Sequence, residues 1–286
     1  MIAWKQSLPE YEWLIHQIWY LEVPEGEVID PKPHLIPNPR AHLLFTPSEQ
    51  DYSYDTGNTK LAAKGCHLLT ANEHLLLLED TAPIKRIGIT FRPEGLHAIE
   101  SRFNDAPQVS AINQCEWFDW LNTAFDERFQ QGLWQLELQD SPQCLLNYVK
   151  GHLDALDIEP CRTKPFLASQ KAVSVMDAQA LRSPELAMDI DEIAKQCACS
   201  RRTLERSFKQ VVGLSVKQYQ QMARLEQMIL TLYKQEAIDW ASFSQQFGFS
   251  DQSHLIRTLK QQLRKTPSKY LKRRDLTIDI YGDFES

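Results

Sequence analysis

Bulky apolar and polar residues alternate through YEWLIHQIWYLEV (11–23), where Tyr11, Trp13 and Ile15 share one side of an extended chain. Short apolar runs follow at AHLLFT (41–46), HLLLL (74–78) and IKRIGITF (84–91). Prolines and glycines punctuate them, among them Pro24, Gly26, Pro37, Pro47, Gly57, Gly65 and Pro83. Many short strands bounded by turn residues predict a β-barrel or sandwich over 1–115 rather than a βαβ sheet. From Glu116 the period becomes helical. Trp117, Leu121 and Phe125 fall at i, i+4, i+8, and Leu145, Val149, His152 and Leu156 repeat the spacing. Residues 116–165 therefore read as a helical appendage ending in LDIEPCRTKP (156–165), whose two prolines suit a hinge.

Helical spacing continues from Phe166 almost without a break, and twice it is interrupted in the same way. In DIDEIAKQCACSRRTLERSFKQVVG, Ile190, Ile193, Ala194 and Cys197 make a short apolar stripe. Ala198 and Cys199 occupy a tight turn, and Ser200 is placed to cap the next helix. That helix turns Leu204, Phe208 and Val211 inward. In FSQQFGFSDQSHLIRTLKQQLRKTPSKYLKRR (243–274), Phe243 and Phe247 precede Gly248, and Leu255, Leu259 and Leu263 turn inward. The turn needs a left-handed backbone, which suits Gly248 better than Ala198. Two short helices at such a corner form a helix-turn-helix, whose second helix can enter the major groove. Between the two pairs, SVKQYQQMARLEQMILTLYKQ (215–235) reads as one helix of roughly 30 Å. That approaches the roughly 34 Å between successive major-groove faces of one duplex.

Charge divides along the same lines. Residues 1–164 carry 13 Lys/Arg against 24 Asp/Glu, and residues 165–274 carry 18 against 10. The last stretch, DLTIDIYGDFES (275–286), adds four acids and no base. A basic module joined to an acidic body implies a polyanionic partner for one end only. The acidic stretch alternates like a short strand; disorder is the default expectation, and pairing with a sheet edge or folding back across the basic surface are the alternatives. The six cysteines lack paired metal-ligand spacing, which fits reduced thiols. The chain lacks a cationic, apolar leader, and its longest aliphatic run, Leu75–Leu78, is too short to span a bilayer. A cytoplasmic location without membrane contact is the expectation.

The C-terminal residues resemble the DNA-binding domain of AraC/XylS-type transcriptional regulators over about 166–274. The match is carried by Ile193-Ala194, the S-R-x-x-L-x-R-x-F-K run from Ser200 to Lys209, Gly213, Tyr219, Arg224, GFSDQSHLIR (248–257) and TPSKY (266–270). Leu255 and Leu259 stand where that family has phenylalanines, Arg264 where it has glycine, and Val216 where it has proline. The resemblance implies double-stranded DNA as partner. Base contacts then fall to Arg202, Glu205 and Arg206 in the first reading helix, and to Gln252, Ser253, Ile256 and Arg257 in the second. The chemistry agrees, since Arg pairs with guanine, Gln with adenine, Glu with cytosine and Ile with a thymine methyl. Ser200, Arg201, Lys209, Lys260, Lys269, Lys272 and Arg273 are the expected phosphate contacts.

HLIPNPRAHLLFTPS (34–48) and GITFRPEGLHAIES (88–101) resemble the cupin-like N-terminal domain of one subgroup of these regulators. That resemblance implies a sensor of a small-molecule effector or a partner, a homodimer formed through 116–165, and RNA polymerase as a candidate partner. The expected fold is thus multidomain α+β: a β-barrel with a helical appendage, then an all-α domain (166–274) with two helix-turn-helix units. The rivals are a cupin-type enzyme and a non-specific architectural DNA-binding protein. His34, His42, His67, His74 and His97 lack the close H-x-H spacing of a metal site, and no nucleotide or nucleophile fingerprint occurs. No catalytic residue, metal or cofactor is expected.

Overall fold

The computed structural model describes residues 2–27, 34–55, 60–72, 74–78, 82–103, 115–116, 123–138, 141–183, 188–235 and 237–271. The expected contributions of Trp117, Leu121, Lys272, Arg273 and the acidic stretch 275–286 lie outside them. The chain is mixed α+β, with sheets in its N-terminal part and helices in its C-terminal part.

The described residues of the N-terminal part include the strands β1 (Ile2–Gln6), β2 (Ile15–Val23), β3 (His34–Leu35), β4 (His42–Phe45), β5 (Asp51–Asp55), β6 (Lys60–Lys64), β7 (His67–Leu69), β8 (Leu76–Leu78), β9 (Ile84–Phe91) and, beyond the first helix, β10 (Cys115–Glu116). The described strands form two antiparallel sheets, ordered β1-β2-β9-β4-β7-β10 and β3-β8-β5-β6. A sandwich is one of the two arrangements the strand pattern allows, and a closed barrel is not seen among the described strands. Alternation explains how both faces of the larger sheet are buried. Trp19, Leu21 and Val23 of β2, Leu44 of β4 and Leu69 of β7 face the smaller sheet, meeting Tyr52, Tyr54, Leu76 and Leu78. The intervening Ile18, Tyr20, Leu43, Phe45, Leu68, Ile87 and Ile89 face the other way into a second core.

Helices cover that second face: α1 (Gly95–Phe103), α2 (Glu127–Trp134) and α3 (Pro142–Ala155). Phe45 meets Phe125 and Phe129 with ring centroids 6.0 and 5.6 Å apart. Trp4 Nε1 donates to the Leu138 carbonyl (3.1 Å), and the Tyr11 hydroxyl donates to Asp154 (2.8 Å). The appendage is therefore packed onto the sheet as part of one core.

The remaining helices are α4 (Lys164–Arg182), α5 (Ile190–Gln196), α6 (Arg201–Val212), α7 (Val216–Tyr233), α8 (Trp240–Gln246), α9 (Gln252–Leu263) and α10 (Pro267–Leu271). Helix α7 divides its apolar residues between two clusters. Val216, Tyr219, Met222 and Ala223 join Leu204, Phe208 and Val211. Leu225, Met228, Ile229 and Leu232 join Phe243, Phe247, Leu255, Leu259 and Leu263.

Trp19 packs flat over its cross-strand neighbour Gly88, where any β-carbon would collide with the indole. Gly88→Ala should therefore destabilise the sandwich by about 1–3 kcal/mol, read as a lower midpoint in urea unfolding. His42 and His67 are buried in the sheets, and desolvation holds both imidazoles down at about 3. Unfolded imidazoles protonate near 6.5, so the unfolded chain binds more protons throughout the interval between. Stability contributed by these neutral rings should be complete above about pH 6.5 and be lost as pH falls toward 3. Chemical unfolding across that range, compared with His42→Gln, measures it.

Candidate nucleic-acid interface

The two C-terminal helix pairs, α5–α6 and α8–α9, turn by the same hydrogen bonds. In the first, Ala198 N–H donates to Lys195 O and Cys199 N–H to Ala194 O, both at 3.0 Å. In the second, Gly248 N–H donates to Gln245 O (3.0 Å) and Phe249 N–H to Ser244 O (2.9 Å). Ala198 and Gly248 both have left-handed backbones, with φ of 53° and 63°. The second helices start differently. Ser200 caps α6 by accepting from Thr203 N–H, whereas Asp251 caps α9 by accepting from His254 N–H. The second pair thus has one more residue between turn and helix.

On α6, Leu204, Ser207, Phe208 and Val211 are buried, and Arg202, Glu205, Arg206 and Lys209 are exposed on the opposite side. Arg202, Arg206 and Lys209, at i, i+4 and i+7, form one cationic stripe. Arg201 lies beside it, its guanidinium 3.3 Å from both Asp191 and Glu205. Glu205 thereby has a cationic neighbour on its own helix. Lys209 also does a second job: its ammonium donates to the Gly213 carbonyl at 2.5 Å, closing the helix C-terminus. The spacing Lys209 to Gly213 could have shown this in advance.

On α9, Leu255, Leu259 and Leu263 are buried. Gln252, Ser253, Arg257 and Lys260 are exposed, and Ile256 is half-buried beside them. His254 is held locally, Nδ1 lying 3.2 Å from Ser250 Oγ and the ring edge-on to Phe249. Lys269 is exposed on α10. The departures noted in the sequence fit without disruption. Leu255 and Leu259 fill the core, Val216 is buried at the start of α7 beside the Ser215–Gln218 capping box, and Arg264 adopts a left-handed φ of 52°.

Sequence reasoning missed what joins this region to the sheets. Arg40 donates to both oxygens of Glu226 on α7 at 3.0 and 3.4 Å. Their side chains are 8% and 12% exposed. Nearby, the Tyr219 hydroxyl donates to Asp177 of α4 (2.7 Å), and Arg92 pairs with buried Glu94 (3.2 Å). Burial raises the carboxyls of Asp177 and Glu94 above the usual range, against the pull of the neighbouring guanidiniums. Ile36 and Leu75 pack into the same core as α8 and α9. These partners lie too far apart in sequence for any local pattern to pair them. Of the five histidines, His42 lies against Thr90, His67 between Tyr54 and Gly65, and His97 against Phe166. Among the described residues no three His, Cys, Asp or Glu are grouped to hold a metal ion, and no helix is long and apolar enough to cross a membrane.

Short helices meeting at a tight turn, the second presenting cations, are the build of a helix-turn-helix DNA-binding domain. Residues 193–273 match the family described as a helix-turn-helix domain. A transcriptional regulator from Chromobacterium violaceum, of the AraC-type DNA-binding domain-containing proteins, is similar at 30% identity. That alignment covers 37% of this chain and 89% of that one, with a TM-score of 0.32. ToxT from Vibrio cholerae aligns at 11% identity over 96% of this chain and 99% of its own, with a TM-score of 0.48. ToxT bound to an unsaturated fatty acid aligns at 9% identity over 96% of each chain, with a TM-score of 0.43. No curated protein gives a significant match. The C-terminal part of the chain thus carries a helix-turn-helix domain of the AraC type, the DNA-binding domain of transcriptional regulators.

Arg264 carries a left-handed backbone that a side chain disfavours by about 1–2 kcal/mol, while glycine's greater unfolded freedom returns part of that. Arg264→Gly should therefore raise the thermal midpoint slightly. Gly213→Ala, at φ 80°, should lower it.

Proposed function

We propose that both helix pairs read a single operator duplex, with α6 and α9 in neighbouring major grooves and α7 as the spacer. The observation that carries this is the repeated turn geometry on the two ends of one helix, each followed by a helix with an exposed polar face. Helix α7 has 18 residues, about 27 Å of rise, of the order of one turn of B-DNA. In this reading Arg202, Glu205 and Arg206 contact bases in one groove, and Gln252, Ser253, Ile256 and Arg257 in the next. Ser200, Arg201, Lys209, Lys260, Lys269, Lys272 and Arg273 contact phosphates.

In this reading residues 1–115 act as a sensor of a small effector or protein partner, and residues 116–165 as the dimerisation region and linker. What supports this is the contact itself: Arg40, Ile36 and Leu75 touch α7 and the second pair, so movement in the sheets is transmitted to the reader. A homodimer through α3 is part of the reading, its outer face holding Gln143, Cys144, Asn147 and Gly151. Sedimentation of the purified chain tests it.

Selection of a preferred site from random duplexes, followed by footprinting, tests the reading as a whole. Two protected patches one helical turn apart are expected, and a single short patch rejects it. On that site Arg202→Ala and Gln252→Ala should each cost about 1–3 kcal/mol and relax preference at one position. Lys260→Ala should instead weaken all duplexes alike and shallow the salt dependence by about one unit. Equal losses on selected and random DNA for Arg202→Ala would remove its base-reading role.

A further inference from the structure

The two helix pairs are alike in their turns but not in their support. Helix α4 lies along the first pair, packing on α5, α6 and α7. Among the described residues no helix of comparable length flanks the second pair, whose own flanking helix, α10, has five residues. Arg224, on the face of α7 toward the second pair, supplies a different support. One guanidinium nitrogen donates to the carbonyl of Phe247, the residue that ends α8. The guanidinium plane also lies over the Phe249 ring, 4.3 Å from its centroid. Phe247 and Phe249 flank Gly248, so one side chain holds both sides of the turn.

That turn decides where α9 begins. Asp251 caps α9 two residues after Phe249, and Gln252 follows it. A tilt of the turn would carry Gln252, Ser253, Ile256 and Arg257 with it. The Phe249 ring further meets His254 edge-on at 5.3 Å, extending the contact from Arg224 into the first turn of α9. Burial lowers the pKa of Arg224, so the guanidinium gives up hydration for these contacts. An arginine is suited to this: its planar fork can donate in plane while its face stacks, which an ammonium cannot do. Arg224 also lines a cleft of about 500 Å³ between α7, α9 and the sheet residues Pro37, His74 and Leu75. The same side chain therefore borders both the turn and the sensor.

We infer that Arg224 is a positioning residue for DNA recognition, setting the docking angle of the second reading helix and not that of the first. This rests on the two-groove reading above. The test uses full-length wild type, Arg224→Met and Arg224→Lys on the duplex selected by wild type. The readouts are hydroxyl-radical footprints and competition with base-substituted duplexes. For Arg224→Met, protection and base preference in the half assigned to α9 should fall at least tenfold. The half assigned to α6 should keep its footprint, as should the Arg202-dependent preference. Arg224→Lys should give a smaller loss confined to the same half, and it carries the test if the methionine variant does not fold. Equal weakening of both halves, or no change in either half, overturns the assignment. Failure of the underlying reading looks different, because wild type itself would then protect one patch only.

Discussion

One helix forms a wall of two cores, and the C-terminal architecture depends on that sharing. The first half of α7 is buried with α6, the second half with α8 and α9. Because both cores grip the same backbone, the relation between the helix pairs is fixed by helical rise and rotation instead of by a loop. A flexible linker would leave the second pair free to move relative to the first, adding an entropic cost to any docking that engages both. A continuous helix removes most of that search. The Ser215–Gln218 capping box secures its start, so the rod is well formed where the first core needs it.

The contact between sheets and reader is of another kind. Its apolar part is small, Ile36 and Leu75 against the second core, and its polar part is strongly desolvated. A pair such as Arg40–Glu226 adds little net stability when formed, yet breaking it inside the interface leaves an uncompensated charge. The result is high register and modest affinity: the sheets dock in one way or separate. Asp177, Glu94 and Glu226 facing Arg40 and Arg92 reinforce that, since sliding would bring like charges together. An interface of this type suits switching better than a large oily one would.

The sequence made the helix pairs legible because each carries several local signals at once. A small or left-handed turn residue, a cap, and an inward stripe at helical spacing coincide at Ala198–Phe208 and again at Gly248–Leu259. In the N-terminal part alternation identified strands but not how they close. Leu43 and Leu44 are adjacent and both buried because one faces the helices and the other the smaller sheet, so period two says nothing about barrel or sandwich. The two-residue β10 is too short to leave any pattern. Long-range polar partners were invisible for a similar reason. Arg40 and Glu226 are separated by 186 positions, and nothing near either residue names the other. Arg224 was noticed as a matching residue, but its role needed the Phe249 ring beside it.

Charge partition bears on discrimination. Affinity for random duplex is almost wholly electrostatic, whereas base reading adds short-range contacts that depend on fit. An acidic sensor, 24 acids against 13 bases over residues 1–164, lowers the first term wherever it lies within about a Debye length, roughly 8 Å, of the phosphates. It leaves the second almost untouched, because a side chain that reads a base edge does so at short range in a desolvated groove. Subtracting from the non-specific term alone raises the ratio of specific to random binding even as total affinity falls. That ratio governs occupancy when one operator competes with a genome of other sites. On the proposed reading, an acidic body beside a basic DNA-binding module would therefore favour selectivity over affinity.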